Sequence, residues 1–382
     1  MIRIGYVTTM DPESQAAWSG TIHTIYKALN KRYQVEPIII KQNFLLKKIL
    51  SKFSKLKIKL FHSAPYQDNT SVLTARIRSM RLKGLVNRFG SKKIDVLFIP
   101  AGSTYLSYSD FNIPVIYLSD ATFHVMIDYY YTNLTKKQVE NGNLIEKRAI
   151  ENADKVIYSS DWAMNDAIDF YGINFEKCKM IPFGANMISP NERKPKSIKS
   201  KKNINLLFVG VDSKRKGLII AVDTINELNK NISGYKFTLT VIGNDEKWLK
   251  DNDNINVLGF LDKNKNGDIS KIHNAYKAAD LFILPTTAEA AGIVFAESSM
   301  YGLPILTYAT GGVSTYVKNE VNGFTLPKNT KNFFEKIERL IENPGEYENM
   351  SYNAIQLYER IFNWDNWIAD ASKIIDDLVK KN

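Results

Sequence analysis

This sequence predicts an α/β protein made of two domains, each a parallel β-sheet covered by helices on both faces. Three observations lead there. Its 382 residues are more than twice the usual length of one domain. Short apolar runs alternate with amphipathic stretches, the pattern of buried parallel strands joined by helical crossovers. That rhythm stops once, in the stretch NMISPNERKPKSIKSKKN from Asn186 to Asn203, and then restarts. Proline, serine and lysine replace apolar periodicity there, so 186–203 reads as a linker between domains 1–185 and 204–382.

The elements follow in order. Ile2–Thr8, Gln34–Ile40, Asp95–Ile99, Pro114–Ser119 and Lys155–Ser159 read as strands, each a run of apolar or β-branched residues of strand length. Gly20–Leu29 and Asn143–Asn152 read as helices. After the linker, strands are predicted over Asn205–Val209, Thr238–Gly243, Asn256–Leu258, Leu281–Pro285 and Pro304–Thr307. Helices are predicted over Leu218–Leu228, Ser270–Ala278 and Phe295–Met300, and two more lie within Asn332–Glu342 and Tyr352–Lys380. The last helix is expected to return to the first domain.

Composition narrows the function classes. Apolar residues make up 44% and charged residues 24%, which fits a folded chain and not a disordered or collagen-like one. The single cysteine, Cys178, cannot staple the fold or build a multi-cysteine zinc site, and points to a reducing compartment. No secretion signal and no long uninterrupted apolar run is read, so the expected location is cytoplasmic. The net charge of +11 is concentrated. Between Lys41 and Lys93 there are 14 Lys and Arg against one acid, Asp68, so the remainder of the chain is slightly acidic. Within that segment, Leu46, Ile49, Phe53, Leu56 and Leu60 recur at helical spacing, with Lys47, Lys48, Lys52, Lys55 and Lys59 largely opposite them. Such a helix suits an anionic membrane surface, giving a peripheral protein on the inner face of the cell membrane. A plain domain helix and a nucleic-acid patch are the alternatives, and no nucleic-acid motif accompanies the charge.

The chemistry concentrates in two stretches. In Leu281–Val313, a strand ends at Pro285, a loop holds Glu289, and Gly292 opens a helix that carries Glu297. A helix start without a side chain in the way is a ready anion site, and a carboxylate on either side of it is placed to grip hydroxyls around a bound diphosphate. In Val209–Gly217 a strand end runs into Lys214, Arg215 and Lys216. Three adjacent cations there suit a phosphate, with Lys216 the main contact and Arg215 a helper. Asp251-Asn252-Asp253 reads as a solvated turn. Asp262–Ile269 copies the start of a calcium loop but has His273 where the bidentate glutamate belongs. No metal is expected.

Together these stretches resemble glycosyltransferase family 4, retaining enzymes of the GT-B fold, in which two Rossmann-like domains face a cleft. EAAGIVFAE, from Glu289 to Glu297, is similar to that family's Glu-x7-Glu motif, and FVGVDSKRKG to its phosphate-binding turn. YGLPIL, TGGV and the NWDNW of Asn363–Trp367 follow in the family's order. In the first half, Trp18–Thr21 (WSGT), Ser159–Ala163 (SSDWA) and Ile181–Asn186 (IPFGAN) match as well. The resemblance implies a transferase that moves a sugar from a nucleotide diphosphate, UDP- or GDP-linked, to a hydroxyl of a glycan or lipid-linked acceptor in cell-surface synthesis, with no cofactor required. It implies that Glu289 holds the donor sugar, Glu297 the ribose, and the amides of Gly292 and Ile293 the phosphate. Gly20 would approach the diphosphate from the first domain, and the base would lie near Gly243, Phe260 and Leu261.

Two positions depart from the family. An arginine common after the first strand of the second domain is Val211 here, which leaves Lys216 and Arg215 to meet the leaving charge. A histidine common at the end of the strand Ile113–Ser119 is absent, so Asp120 is its positional equivalent and His124 a neighbour. Asp120 and His124 join Glu289 and Lys216 as catalytic candidates. For Asp120 a helix N-cap is the competing reading. A sugar-nucleotide-binding protein without turnover is the competing reading for the chain.

Overall fold

The computed structural model describes residues 1–15, 17–40, 67–88, 94–328 and 332–381. The chain divides into two compact units, Met1–Ile181 with Ile368–Asn382, and Pro182–Trp367. Residues 181–202 carry neither helix nor strand.

The first unit is built on six parallel strands: β1 (Arg3–Thr8), β2 (Gln34–Ile39), β3 (Val96–Pro100), β4 (Val115–Ser119), β5 (Lys155–Tyr158) and β6 (Cys178–Met180). Their order is β2-β1-β3-β4-β5-β6. β1 therefore lies between β2, registered Ile4 to Val35, and β3, registered Ile4 to Val96. β3 and β4 are buried at every position, which explains why they read as unbroken apolar runs. The crossovers are α1 (Thr21–Asn30), α2 (Val72–Arg88), the short α3 (Ser103–Leu106) and α4 (Phe123–Met126), then α5 (Lys136–Asn152) and α6 (Asp161–Asp169). Thr135 and Gln138 close a capping box that starts α5, a full two turns before the predicted Asn143.

The second unit repeats the plan with β7 (Asn203–Val209), β8 (Lys236–Ile242), β9 (Ile255–Gly259), β10 (Leu281–Leu284), β11 (Ile305–Tyr308) and β12 (Gly323–Leu326). The order is β12-β11-β10-β7-β8-β9, again all parallel. Its helices are α7 (Ser213–Lys216), α8 (Leu218–Asn231), α9 (Asn266–Ala278), α10 (Ile293–Met300), α11 (Val313–Tyr316), α12 (Phe333–Glu342), α13 (Pro344–Arg360) and α14 (Trp364–Lys380), of which α14 ends within the first unit.

The expected α/β class is what the chain adopts, with differences in detail. β6 and β12 went unpredicted because one is three residues long and the other opens on Gly323, whose backbone packs directly against Ile305. The closing stretch Tyr352–Lys380 is not continuous. Asn363 breaks it: its side-chain Nδ2 donates to the carbonyls of Tyr358 and Glu359, ending α13, while its side-chain Oδ1 accepts the Asn366 N–H at 2.9 Å, starting α14. Trp364 then donates from Nε1 to Asn186 Oδ1 at 3.1 Å, and Gly184 lies so close that a Cβ there would sit 2.7 Å from the Trp364 nitrogen. Two motifs about 180 residues apart in sequence are thus one packed joint. Of the basic segment 41–93, residues 41–66 and 89–93, and with them the lysine helix predicted after Asn43, lie outside the described residues.

Candidate functional site

In an open parallel sheet, ligands bind beyond the carboxyl ends of the strands, where the strand order reverses. In the second unit that point lies between β7 and β10, because the chain runs from β7 outward through β8 and β9 and then returns to the other side of β7. The loops after these two strands carry the predicted residues. The loop after β7 passes through Gly210, whose missing side chain lets Lys216 lie over the strand end: a Cβ there would stand 2.9 Å from Lys216 Cγ. Asp212 caps α7 by accepting the Arg215 N–H at 3.0 Å, and Gly217 ends it in the left-handed region at φ 75°. No other residue fits Gly217, because a Cβ would meet the Pro285 carbonyl. The turn is therefore clamped onto the end of β10.

That clamp delivers Lys216 to Glu289. Its Nζ pairs with Glu289 Oε2, and the two side chains are only 9% and 14% exposed. Arg215 does something else. Its Nη1 donates to the Ala288 carbonyl at 2.8 Å, and its own carbonyl accepts from Thr287 N–H and Oγ1. It ties the two loops together. The Gly312 N–H donates to the Glu289 carbonyl at 2.9 Å, so the loop after β11 supports Glu289 from behind. Gly292 opens α10 with no side-chain cap, and a Cβ on it would strike the Phe295 ring. Gly292 and Ile293 thus begin a helix directly after the Lys216–Glu289 pair.

Glu297, one turn along α10, has a side chain only 1% exposed. Burying a carboxylate is costly unless it is paired and hydrogen-bonded. Here Lys263 Nζ donates to Oε1 at 2.5 Å and the Tyr276 hydroxyl donates to Oε2 at 3.1 Å. Burial, with the Glu297 charge beside it, pushes the Tyr276 hydroxyl well above its ordinary pKa, so it stays a donor. Nothing in the sequence singled out Lys263 or Tyr276. Lys263 falls in the stretch that resembles a calcium loop. In the fold that stretch is a turn opening α9, with the Asp262 N–H donating to Asp268 Oδ2 at 3.1 Å.

Gly243, at the end of β8, has φ 98°, and a Cβ there would be 2.5 Å from the Gly210 carbonyl oxygen. Its N–H donates to the Gly259 carbonyl at 2.8 Å, joining the ends of β8 and β9. Phe260 follows, 72% exposed, while Leu261 packs on the core. Glu289, Lys216, Arg215, Gly292, Ile293, Glu297, Gly243, Phe260 and Leu261 all lie on the second unit, on loops and helix starts at the carboxyl edge of its sheet.

Gly20, Asp120 and His124 lie on the first unit. Its switch point falls between β1 and β3. Trp18, Ser19 and Gly20 form a run of left-handed residues, φ 50°, 56° and 86°, before α1. Only the last is a glycine, so the first two are strained. The Trp18 Nε1–H donates to Asp120 Oδ2 at 3.0 Å. Asp120 is not a helix cap: Thr122 caps α4 by accepting the Val125 N–H. His124 pairs with a different acid. Its Nδ1 lies 2.6 Å from Asp166 Oδ1, its ring stacks on Phe170 at 3.5 Å between centroids, and its backbone N–H donates to the Tyr171 hydroxyl. Thr122 Oγ1 also donates to Asp166.

Behind these residues is a group the sequence did not reveal. Glu146 on α5 is buried and accepts from the Tyr117 hydroxyl at 3.1 Å. Burial raises its pKa to about 7, and the Asp166 and Asp120 charges push the same way against the Tyr117 and Ser103 hydrogen bonds. Its spacing on α5 resembles that of any exposed helix acid, and only tertiary packing brings it inside.

Comparison with known proteins bears on the family and the fold. Residues 189–357 match the family described as "Glycosyl transferases group 1". An uncharacterized glycosyltransferase of Methanocaldococcus jannaschii is 29% identical over 170 residues, 42% of this chain and 42% of that one. The chain spans about half the length of the curated relatives it matches. Sucrose-phosphate synthase from Thermosynechococcus elongatus superposes over all of both chains with a TM-score of 0.73 at 15% identity. HepE of Anabaena, in complex with UDP, covers 99% of this chain and 100% of its own with a TM-score of 0.66 at 17% identity. These structures establish the fold as GT-B. The family match falls within the second unit, which is similar to the group 1 glycosyltransferases.

Proposed function

We propose that this protein transfers a sugar from a nucleotide diphosphate to an acceptor hydroxyl. The observation that carries the reading is the Lys216–Glu289 pair at the switch point of the second sheet, directly before the uncapped start of α10. A lysine and a helix start are what a departing diphosphate needs, and a carboxylate beside them is what a sugar's hydroxyls need. On this reading, the donor displaces the internal pair. Lys216 passes to the phosphate, the amides of Gly292 and Ile293 complete its shell, and Glu289 turns to the sugar. Glu297 takes the ribose, fixed by Lys263 and Tyr276. The exposed Phe260, with Gly243 and Leu261, receives the base. Arg215 holds the loops and Lys216 alone meets the charge, which accounts for a site that works with Val211 in place of an arginine.

The acceptor is assigned to the first unit, with Asp120 as the carboxylate nearest the reacting hydroxyl, Gly20 shaping the loop before α1, and His124 a supporting residue held by Asp166. Retention of configuration, UDP or GDP as the nucleotide, and a glycan or lipid-linked acceptor complete the proposal. HepE, the Anabaena protein of the same fold, is known in complex with UDP, which favours UDP. Association with an anionic membrane is supported by α2, whose exposed face combines Leu73 and Met80 with Arg76, Arg81 and Lys83. No described helix is long and apolar enough to cross a membrane.

The test is a thermal-shift screen of the full chain against UDP-, GDP-, ADP- and TDP-sugars, followed by proton NMR of the fresh product. A UDP-sugar is expected to raise the melting temperature most, and the product to keep the donor's anomeric configuration. No shift with any donor contradicts the transferase reading, and an inverted product contradicts retention.

A further inference from the structure

The carboxyl edge of the first sheet carries a cavity that none of the roles above uses. It has a volume of about 160 Å³ and is bounded by Val7, Thr8, Trp18, Ile22, Ile99 and Tyr105, with the Pro100–Gly102 backbone closing it. Three features set it apart. It lies between the ends of β1 and β3, the switch point of this sheet, where a doubly wound fold places its ligand. Its wall is mostly hydrocarbon, so it favours an apolar group over a polyhydroxylated ring or water. One side is the Trp18 indole, held over it by a strained loop and by the hydrogen bond to Asp120 Oδ2. Non-glycine residues in left-handed conformations cluster at ligand sites, where the surrounding structure holds them in place. Here two of them in sequence position the ring that joins the cavity to the candidate catalytic carboxylate.

We infer that this cavity is the seat of an apolar group on the acceptor, the size of one six-membered ring, so that the acceptor is an alcohol with a hydrocarbon portion close to its reacting hydroxyl. The size sets the limit: a dry protein cavity of about 150 Å³ accommodates a benzene ring. An aryl or alicyclic ring and a branched chain of five or six carbons both meet that requirement. A sugar unit would sit outside, at the level of Asp120, with its hydroxyls toward polar groups. The inference rests on assigning the acceptor to the first unit, and it names the class of acceptor that assignment leaves open.

The five tryptophans of the chain make the test direct. In ¹H–¹⁵N spectra of the full chain, the Trp18 indole signal is assigned with Trp18→Phe. Benzyl alcohol and 3-methylbutanol are titrated as probes of the ring and the branched chain, with glycerol as a polar control. The expected result is a saturable shift of the Trp18 signal with one or both apolar probes and none with glycerol. The probe that binds more tightly identifies the acceptor's apolar group. Thr8→Ile, which adds bulk to the cavity, weakens that probe at least tenfold, and Ile22→Phe serves as a second filling variant if Thr8→Ile disturbs the other four indole signals. UDP is titrated into the same samples. UDP binding without any apolar-probe shift overturns this inference alone, as does a shift that survives both filling variants. Loss of UDP binding in the unaltered protein overturns the donor reading instead.

Discussion

The two sheets share one strand plan and differ in what they place at the point where the order reverses. In the second unit the loops after β7 and β10 bring a lysine and a glutamate into a largely buried ion pair, with a helix start beside them. In the first unit the ends of β1 and β3 enclose hydrocarbon, with a tryptophan and Asp120 at the border. On the proposed reading, one switch point serves phosphate charge and the other shape. The difference teaches why a single fold can divide a two-substrate reaction. A proposed donor side that neutralises two phosphates takes cations and amides, while a proposed acceptor side that recognises an uncharged alcohol takes a fitted surface.

The sharpest break of that comparison falls on the charged side. Lys216→Ala and Glu289→Ala are each expected to lower turnover at least a hundredfold, since removing one preorganised group costs about 3–4 kcal/mol of barrier. Each also strips the partner from a largely buried charge, so each lowers the melting temperature. The double variant should regain much of the lost stability and none of the turnover. Calorimetry and product assays on the three proteins check both parts. Near-normal rates in the single variants would remove the pair from the mechanism.

A smaller effect of a different kind is expected in the first unit. Glu146 has an ordinary value of 4.5 and a folded value of about 7. Between those values the unfolded chain is ionised while the folded protein keeps the proton. The stability Glu146 contributes is therefore full below about pH 4.5 and is lost as pH rises toward 7, a change of order 3 kcal/mol. Glu146→Gln should flatten that slope, leaving stability near pH 4.5 little changed and raising it at pH 8. Urea unfolding at the two pH values reads the difference, and parallel curves for the two proteins would contradict it.

Glu297 sharpens the comparison within the donor side. Lys263→Met should raise the donor KM several-fold with little change in kcat, because it loosens a binding carboxylate and touches no reacting atom. A fall in kcat alone would assign Lys263 elsewhere. An effect outside both sites is expected at the membrane. Exchanging Arg76, Arg81 and Lys83 for glutamine removes about 1 kcal/mol of attraction each, and should reduce sedimentation with anionic vesicles without altering donor affinity. Unchanged sedimentation would leave α2 without a role in membrane binding.

What the sequence made legible follows the same division. Phosphate chemistry needs particular residue types at short spacing, so Gly210, Lys216, Gly217, Glu289 and Gly292 stand within two compact stretches and can be found by reading. The proposed acceptor side is assembled from β1, β3, β4 and the loop before α1, so Trp18 and Asp120, about a hundred residues apart, meet only in the fold. Asp120 looked equally suited to cap a helix, and the cap fell two residues on, at Thr122. Lys263, Tyr276 and Glu146 escaped for one reason: each owes its role to burial against a distant partner, and burial leaves no mark on the residue itself. Ten of the twelve described strands were legible as apolar runs, whereas the break at Asn363 was not, since an asparagine that ends one helix and starts the next looks like any polar helix residue.

On the proposed function, Lys216, and not the cations beside it, meets the donor's diphosphate. Isothermal titration of UDP into the full chain, compared with Lys216→Ala and Lys214→Ala, tests it most directly. Lys214 is exposed and one residue removed from the Arg215 clamp. The expected result is saturable binding by the unaltered protein, affinity lowered at least tenfold by Lys216→Ala, and affinity unchanged by Lys214→Ala. Equal losses in the two variants, or undiminished binding by Lys216→Ala, would contradict it.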